Sequence, residues 1–350
     1  MGFYRLILAY AVVYGHVRGA LLGHNPGAVA VISFFLLSGF VMTALVRKHY
    51  ASLPAVPLFY ADRFVRLAPQ FYLYSALTLA GVLVFGLRHK WLHGVPTASS
   101  ALEQLLLFPL NFYRLFPEDM LLPQTWSLGL EAIFYAVFPL ILLSRMRLVA
   151  AIISFAIYLT AYAGVIDTDL YAYRYLPGTL FIFLTGSYLQ DASTALERWL
   201  PTAFFGAAAL LLVLAFVSPR FGVPPNQDVL LGLVIGICMV AVLKRVDRPS
   251  PANEFAGDVS YGIFLNHNLI YASLGLITPA IDADGWAGMP VFILVCAAST
   301  LLSYASFATI EKPLIAWRHK WRGQRDALHQ TAADSGRASA GFGLLDAKDG

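Results

Sequence analysis

From Phe3 to the neighbourhood of Arg318 the chain is a succession of apolar runs, broken by short polar loops. Most runs are about twenty residues long, the length a helix rising ~1.5 Å per residue needs to cross a hydrocarbon core ~30 Å thick. Backbone inside lipid must satisfy its own hydrogen bonds, so such runs fold as helices. We read about ten spans, at roughly 3–23, 27–46, 68–87, 126–144, 147–166, 174–190, 202–218, 228–245, 258–279 and 289–316. The fold class expected is all-α, a polytopic membrane helical bundle. Charge agrees: only 13% of the 350 residues are charged, too few to coat a soluble surface.

The loops alternate in basic content. One set holds Arg47, Lys48, Arg63, Arg66, Arg145, Arg147, Arg198, Lys244, Arg245 and Arg248, and the segment beginning at Arg318 adds more. The opposite set holds only Arg88, Lys90, Arg114, Arg174 and Arg220, with the acidic pieces Asp167–Asp169 and Asp282–Asp284. By the positive-inside rule both termini are expected in the cytoplasm. The same placement excludes a nucleic-acid partner, although the net charge is +4, because the basic residues flank spans instead of forming a patch. Residues 47–68 read as a cytoplasmic linker ending in a basic helix, and Leu102–Phe112 as an interfacial or re-entrant piece. Residues 1–318 are expected to form one transmembrane domain, and 319–350 a polar, disordered cytoplasmic tail. Cys238 and Cys296 lie inside apolar runs and give neither a disulfide framework nor a metal spacing. The first run lacks a small-residue cleavage site and reads as a retained span.

Ionisable groups inside apolar runs are costly and by default mark function. Arg5 and His16 are eleven residues apart, within ~20° of the same helical face and ~16 Å apart along the axis. Imidazole is the usual general base near neutral pH, and a guanidinium at the membrane edge can grip phosphate or carboxylate. A capping arginine and a histidine bonded within the bundle would look the same. Arg63 and Arg66, at i and i+3, share a face and could clamp phosphate or simply be flanking charge. Ser127, Glu131 and Tyr135 lie at i, i+4 and i+8, and Glu131 could orient an imidazole or pair two helices. Ser260 and His267 are seven apart in "SYGIFLNH", beside Tyr261. Ser38 and Gly39 in "SFFLLSGFV" read as small residues for close helix packing.

Taken in order, these stretches resemble the acyltransferase 3 family of integral membrane acyltransferases. Its opening Arg, ten residues, His matches Arg5 and His16. "FFxLSGF" matches Phe34–Phe40, and "RxxRxxP" matches Arg63, Arg66 and Pro69. "WSLxxExxFY" matches Trp126, Ser127, Leu128, Glu131, Phe134 and Tyr135. "SYxxYLxH" is approximated by Ser260, Tyr261, Phe264, Leu265 and His267, and the closing "ExP" by Glu311 and Pro313. Gly129, Phe264 and Asn266 depart from the family's commoner residues. The resemblance implies acyl-CoA, usually acetyl-CoA, as co-substrate with no tightly bound cofactor or metal. It implies a saccharide or lipid-linked sugar acceptor and a place in the bacterial inner membrane. His16 would be general base or acyl carrier, Glu131 its orienting carboxylate, and Arg5, Arg63 and Arg66 the donor's grip. Ser127, Tyr135, Ser260, Tyr261 and His267 would support the site or the acceptor. The rival reading is a proton-coupled transporter or flippase, although no paired, broken half-repeats are visible.

Overall fold

The computed structural model describes residues 1–88, 95–106, 110–112, 120–277, 288–318 and 320. Among them the chain is all-helical: α1 (Gly2–Val17), α2 (Pro26–His49), α3 (Val56–Phe85), α4 (Ala98–Leu105), α5 (Trp126–Leu143), α6 (Arg147–Tyr162), α7 (Leu176–Gln190), α8 (Ala195–Val217), α9 (Pro224–Val246), α10 (Pro251–Gly275) and α11 (Met289–Ser306). Each expected span is occupied by a helix. Six segments are long and apolar enough to cross a membrane: Pro26–His49, Leu53–Phe85, Pro123–Leu143, Ala195–Val217, Pro224–Val246 and Met289–Arg318. The protein is therefore an integral membrane protein. Helices α1, α6 and α7 are shorter, and α10 carries Asn253, Glu254, Asp258, Asn266, His267 and Asn268 along its 25 residues.

Three boundaries differ from the sequence reading. The first span does not run to residue 23; α1 stops at Val17. Gly19 and Gly23 follow with φ of +80° and +83°, in the left-handed region that glycine occupies without penalty, and they turn the chain toward α2. His16 consequently sits in the last helical turn instead of mid-helix. The basic linker and the third span are one element, because α3 runs unbroken through Pro69, and Arg63 and Arg66 belong to its first half. The short apolar piece is helical from Ala98 to Leu105, and residues 107–109 lie outside the described residues. So does the expected tail, apart from Lys320.

The core is built on α2, which packs against α1, α5, α7 and α9; α10 joins α1, α3 and α11. Asn25 caps α2, its side chain accepting from the N–H groups of Gly27 and Ala28 at 2.9 and 3.3 Å. Asp228 of α9 accepts from the Asn25 N–H and the His24 ring at 3.2 Å, tying the turn to the bundle. The α2–α7 crossing is close enough to exclude side chains. A Cβ added at Gly39 would lie 1.7 Å from the Phe183 carbonyl oxygen, and one at Gly186 would lie 1.9 Å from that of Leu36. Small residues allow such approach in membrane bundles, and the packing expected of Gly39 is observed. Beside it Phe183 stacks between Phe35 and Phe134, at ring centroid distances of 4.6 and 4.1 Å. By contrast α8 and α11 expose Leu210, Val213, Phe216, Ile293, Leu294 and Leu301, an outer surface suited to lipid chains and not to water.

Gly186→Val should lower the thermal midpoint in detergent, since overpacking a tight crossing typically costs about 1–3 kcal/mol. The exposed Leu210→Val serves as the control. Equal midpoints for the two variants would refute the close crossing.

Candidate active site

Two cavities open at opposite ends of the bundle. The smaller, of about 330 Å³, is lined by the first half of α1 and α3, the second half of α2, α5 and the start of α10. The larger, of about 1000 Å³, is lined where α1, α3 and α10 end and α2 and α5 begin. Val31 and Phe264 line both, so they form the wall between them.

Arg5, Arg63, Arg66, Ser127, Glu131, Tyr135, Ser260 and Tyr261 all line the smaller cavity. Two helices that are distant in sequence, α1 and α3, thus bring three guanidinium groups to one chamber. The guanidinium groups are not equivalent. Arg63 pairs with the fully buried Asp62, which Arg318 also approaches at 3.4 Å. Arg66 pairs with the buried Glu311 and lies over the Tyr261 ring, 5.2 Å from its centroid. Glu311 reaches this position from a π-helical turn, Phe307–Glu311, that follows α11. The closing "ExP" motif therefore has a structural role, neutralising an arginine. Arg5 has no carboxylate partner among the described residues. Arg5 is thus distinguished from Arg63 and Arg66, which are held in place by their ion-pair partners.

Glu131 accepts from Ser38 Oγ and Tyr135 Oη. The resemblance implies that this carboxylate orients His16, and its spacing alone equally allows a tie between helices; in the structure its hydrogen bonds are to Ser38 and Tyr135, in the smaller cavity. Ser38, read from sequence first as a small packing residue and second as a nucleophile, is part of this cluster. Its i+1 neighbour Gly39 did signal the close helix approach, but nothing local pointed to a partner 93 residues away. Ser127 donates to the Gln124 carbonyl at 3.2 Å and Ser260 to the Gly257 carbonyl at 2.7 Å. Tyr261 donates to the Leu67 carbonyl at 2.9 Å, joining α10 to α3.

His16 lines the larger cavity. Its partner there is His267 of α10, fully buried, with Nε2 3.0 Å from His16 Nδ1 and ring centroids 5.0 Å apart. His267 Nδ1 lies 3.1 Å from the Ile263 carbonyl oxygen. A carbonyl only accepts, so in the neutral ring Nδ1 carries the proton and Nε2 the lone pair. That lone pair faces His16 Nδ1, which also lies 3.1 Å from the Val12 carbonyl. His16 Nδ1 is thereby the protonated nitrogen, and the lone pair of a neutral His16 ring is on Nε2. This assignment follows from the heavy-atom hydrogen-bond network. Sequence spacing put Ser260 and His267 on one face; the structure separates them, Ser260 to the smaller cavity and His267 to the wall behind His16. Gln124 and Asn268 add an amide chain to the larger cavity: Asn268 Nδ2 donates to Gln124 Oε1 at 2.7 Å, and Gln124 Nε2 to the Leu265 carbonyl at 2.6 Å. Neither residue was singled out from sequence, since lone amides in apolar runs carry no spacing signal.

A sequence profile described as an acyltransferase domain, that of the acyltransferase 3 family, matches residues 3–308. The chain belongs to the acyltransferase 3 family. It is a membrane O-acyltransferase. An uncharacterized protein of Aquifex aeolicus (strain VF5) is 33% identical over 156 residues, covering 43% of this chain and 70% of that protein. The exopolysaccharide production protein ExoZ of Rhizobium meliloti (strain 1021) is 26% identical over 328 residues, covering 91% of this chain and 97% of its own length. A Bacillus subtilis (strain 168) protein provisionally named peptidoglycan O-acetyltransferase YrhL is 25% identical over 336 residues, covering 83% of this chain and 51% of itself. No solved structure matches. In this acyltransferase 3 member the motif residues divide between the two cavities: the arginines and Glu131 line one, and His16 the other.

The Arg66–Glu311 pair yields a direct test. Arg66→Ala strands a buried carboxylate and should cost about 3 kcal/mol, the low end for breaking a buried pair, because Arg66 remains one-fifth exposed. Arg66→Ala with Glu311→Gln should regain much of that in thermal unfolding. A double variant no more stable than the single would contradict the pairing.

Proposed function

We propose that this protein moves an acyl group, an acetyl group in the simplest case, from acyl-CoA to a hydroxyl of a saccharide or lipid-linked sugar. We place it in a bacterial inner membrane. Helices α1, α6, α7 and α10 join the six longer segments as ten spans, with both termini in the cytoplasm. The observation that carries the reading is the pair of cavities that share Val31 and Phe264 in their linings, one holding Arg5, Arg63 and Arg66 and the other an oriented histidine. The relatives ExoZ and YrhL, named for exopolysaccharide and peptidoglycan, support a saccharide acceptor.

The donor enters at the smaller cavity, whose basic end is the cytoplasmic one under the positive-inside rule. Its volume suits an extended pantetheine arm better than a nucleotide. Arg5 is the group for the donor's anionic or carbonyl oxygens, while Arg63 and Arg66, held by Asp62 and Glu311, shape the mouth. The thioester passes between Val31 and Phe264 toward His16. There Nε2 takes the proton of the acceptor hydroxyl as its oxygen attacks the thioester carbonyl. The carbon–sulfur bond breaks, the electron pair leaves on sulfur, and the imidazolium returns its proton to give the free thiol. His267 positions the ring, because its Nε2 accepts from His16 Nδ1 throughout. The Ser38–Glu131–Tyr135 cluster lines the donor's path and fixes α2 against α5.

Purified protein in nanodiscs, supplied with acetyl-CoA and a glycan acceptor, should release thiol and acylate the glycan stoichiometrically. A proton-coupled carrier would leave the thioester intact. His16→Ala should lower the rate by about 10²–10⁴-fold, the usual contribution of a general base. Near-normal turnover in that variant would remove the assignment. Arg5→Gln should raise the KM for acetyl-CoA with a smaller effect on kcat. An unchanged KM would count against Arg5 as the donor's contact.

Phe264→Trp should narrow the wall between the cavities. Transfer to the acceptor is expected to fall while acetyl-CoA binding, followed by calorimetry, persists. Undiminished transfer would argue that the acyl group does not pass there.

A further inference from the structure

A neutral sugar offers a protein hydroxyl groups and C–H faces, so a site for one is recognised by buried polar atoms that keep hydrogen-bonding capacity. The larger cavity has such atoms. Gln124 and Asn268 line it, and each is only 2% exposed. Gln124 Nε2 donates to the Leu265 carbonyl at 2.6 Å, and a carbonyl only accepts, so the Gln124 amide has one orientation. Its Oε1 then takes a hydrogen bond from Asn268 Nδ2 at 2.7 Å, which fixes the Asn268 amide in turn. Asn268 Oδ1, with two lone pairs, has no hydrogen-bond partner among the described residues, and one Nδ2 hydrogen also remains. Asn266 Oδ1, on the same helix, is sealed inside the bundle; Asn268 Oδ1 is not, and it is reached from the chamber whose wall the residue forms.

A second amide belongs to the same wall. Asn25 lines the cavity, and its Oδ1 is committed to capping α2, where it accepts from the N–H groups of Gly27 and Ala28. Its Nδ2 is therefore the end left over, and it donates to nothing among the described residues. A Cβ added at Gly15 would lie 2.6 Å from Asn25 Oδ1, which seats this amide against the residue preceding His16. Asn268 immediately follows His267, whose Nε2 is 3.0 Å from His16 Nδ1. Both amides thus neighbour the proposed base, one offering a lone pair and the other N–H groups. A hydroxyl both donates and accepts, so a polyol answers both. An ionised carboxylate only accepts, and it would set its oxygen against Asn268 Oδ1.

We infer that Asn268 determines which acceptor is used: its Oδ1 accepts a hydrogen bond from a hydroxyl of the sugar other than the one that reacts at His16, while Asn25 Nδ2 donates to a further sugar oxygen. The inference rests on the proposed saccharide acceptor and adds how its hydroxyls are read. A sugar lacking that hydroxyl leaves a buried lone pair without a donor. A site built to bond a hydroxyl rejects the analogue lacking it far more strongly than an apolar pocket rejects a change of one methylene. The link to Gln124 makes the reading rigid, because the Asn268 amide cannot flip without setting its oxygen against Gln124 Oε1. At about 1000 Å³ the chamber is at the upper end of small-ligand sites and leaves room for more than one sugar ring.

Binding without any acyl donor tests the inference apart from catalysis. The full chain in nanodiscs would be titrated with the methyl β-glycosides of glucose, galactose and N-acetylglucosamine, and with the mono-deoxy analogues of each. At least one parent glycoside should bind, and removal of one particular hydroxyl should weaken it about tenfold or more, the scale of a buried acceptor left unpaired. Asn268→Leu should weaken the parent to the level of that deoxy analogue and leave the analogue's own affinity nearly unchanged, so that the two losses do not add. A purely structural role would weaken both ligands alike. Asn268→Leu also leaves Gln124 Oε1 without its donor, so Asn25→Ser provides a second variant: its oxygen still caps α2, and loss of the amide should weaken the parent several-fold at a thermal midpoint close to that of the unaltered protein. Failure of every parent to bind, deoxy analogues that all bind as their parents do, selectivity retained in Asn268→Leu, or unchanged affinity in Asn25→Ser would each overturn the inference. None of these results alters the thiol release measured with acetyl-CoA. Conversely, loss of transfer with the hydroxyl selectivity intact would remove the proposed function and leave this subsite.

Discussion

The cost of placing an unpaired charge among lipid tails governs this structure. A bundle that carries charged side chains within its apolar segments must turn each toward a partner or a cavity. Asp62 is met by Arg63 and Arg318, Glu311 by Arg66, and Glu131 by Ser38 and Tyr135. Arg147, at the start of α6, is buried and bonded to Ser187, the Asp191 carbonyl and Glu197 while covering the Tyr188 ring. These contacts join α3 to α11, α2 to α5 and α6 to α7 and α8. The polar groups thus serve as ties between helices that have little hydrophobic drive to associate inside a membrane.

The same constraint accounts for the two chambers. Beside the close α2–α7 crossing at Gly39 and Gly186, other residues of α2 contribute to the walls of both chambers. Val31, on that helix, and Phe264, on α10, are apolar and belong to both linings. A small uncharged acyl group can cross an apolar partition that a phosphate or a sugar cannot. In the proposed reaction this arrangement would keep a thioester and its acceptor on separate sides and bring their reacting atoms to one wall. His267 orients His16 from within the protein, through the contact between its Nε2 and His16 Nδ1.

Much of this was legible in the order of residues. Hydrophobic run length marked the six segments that are long and apolar enough to cross a membrane, since lipid thickness sets a length that sequence displays directly. The eleven-residue spacing of Arg5 and His16 correctly placed both on an inward stripe. Helix ends were less legible, because Val17 and Arg18 are separated by no breaker, and only the positive φ of Gly19 and Gly23 shows where α1 stops. Pro69 suggested a boundary that is not there. The partners of the polar residues were not legible either. Glu131 pairs with Ser38 and His16 with His267, across 93 and 251 residues, and periodicity is silent over such separations.

Sequence alone determined that the chain lives in lipid, that its charges are few and purposeful, and that its motifs are those of an acyltransferase. Those properties are local: they depend on the length, polarity and spacing of residues within one helix. Tertiary structure alone decided that Arg5, Arg63 and Arg66 face one chamber and His16 another, that a second histidine backs the first, and that Phe264 lines both chambers. Those properties depend on which helix lies beside which. Close contacts at glycine and buried ion pairs select that neighbourhood, and both are made between residues far apart in the chain.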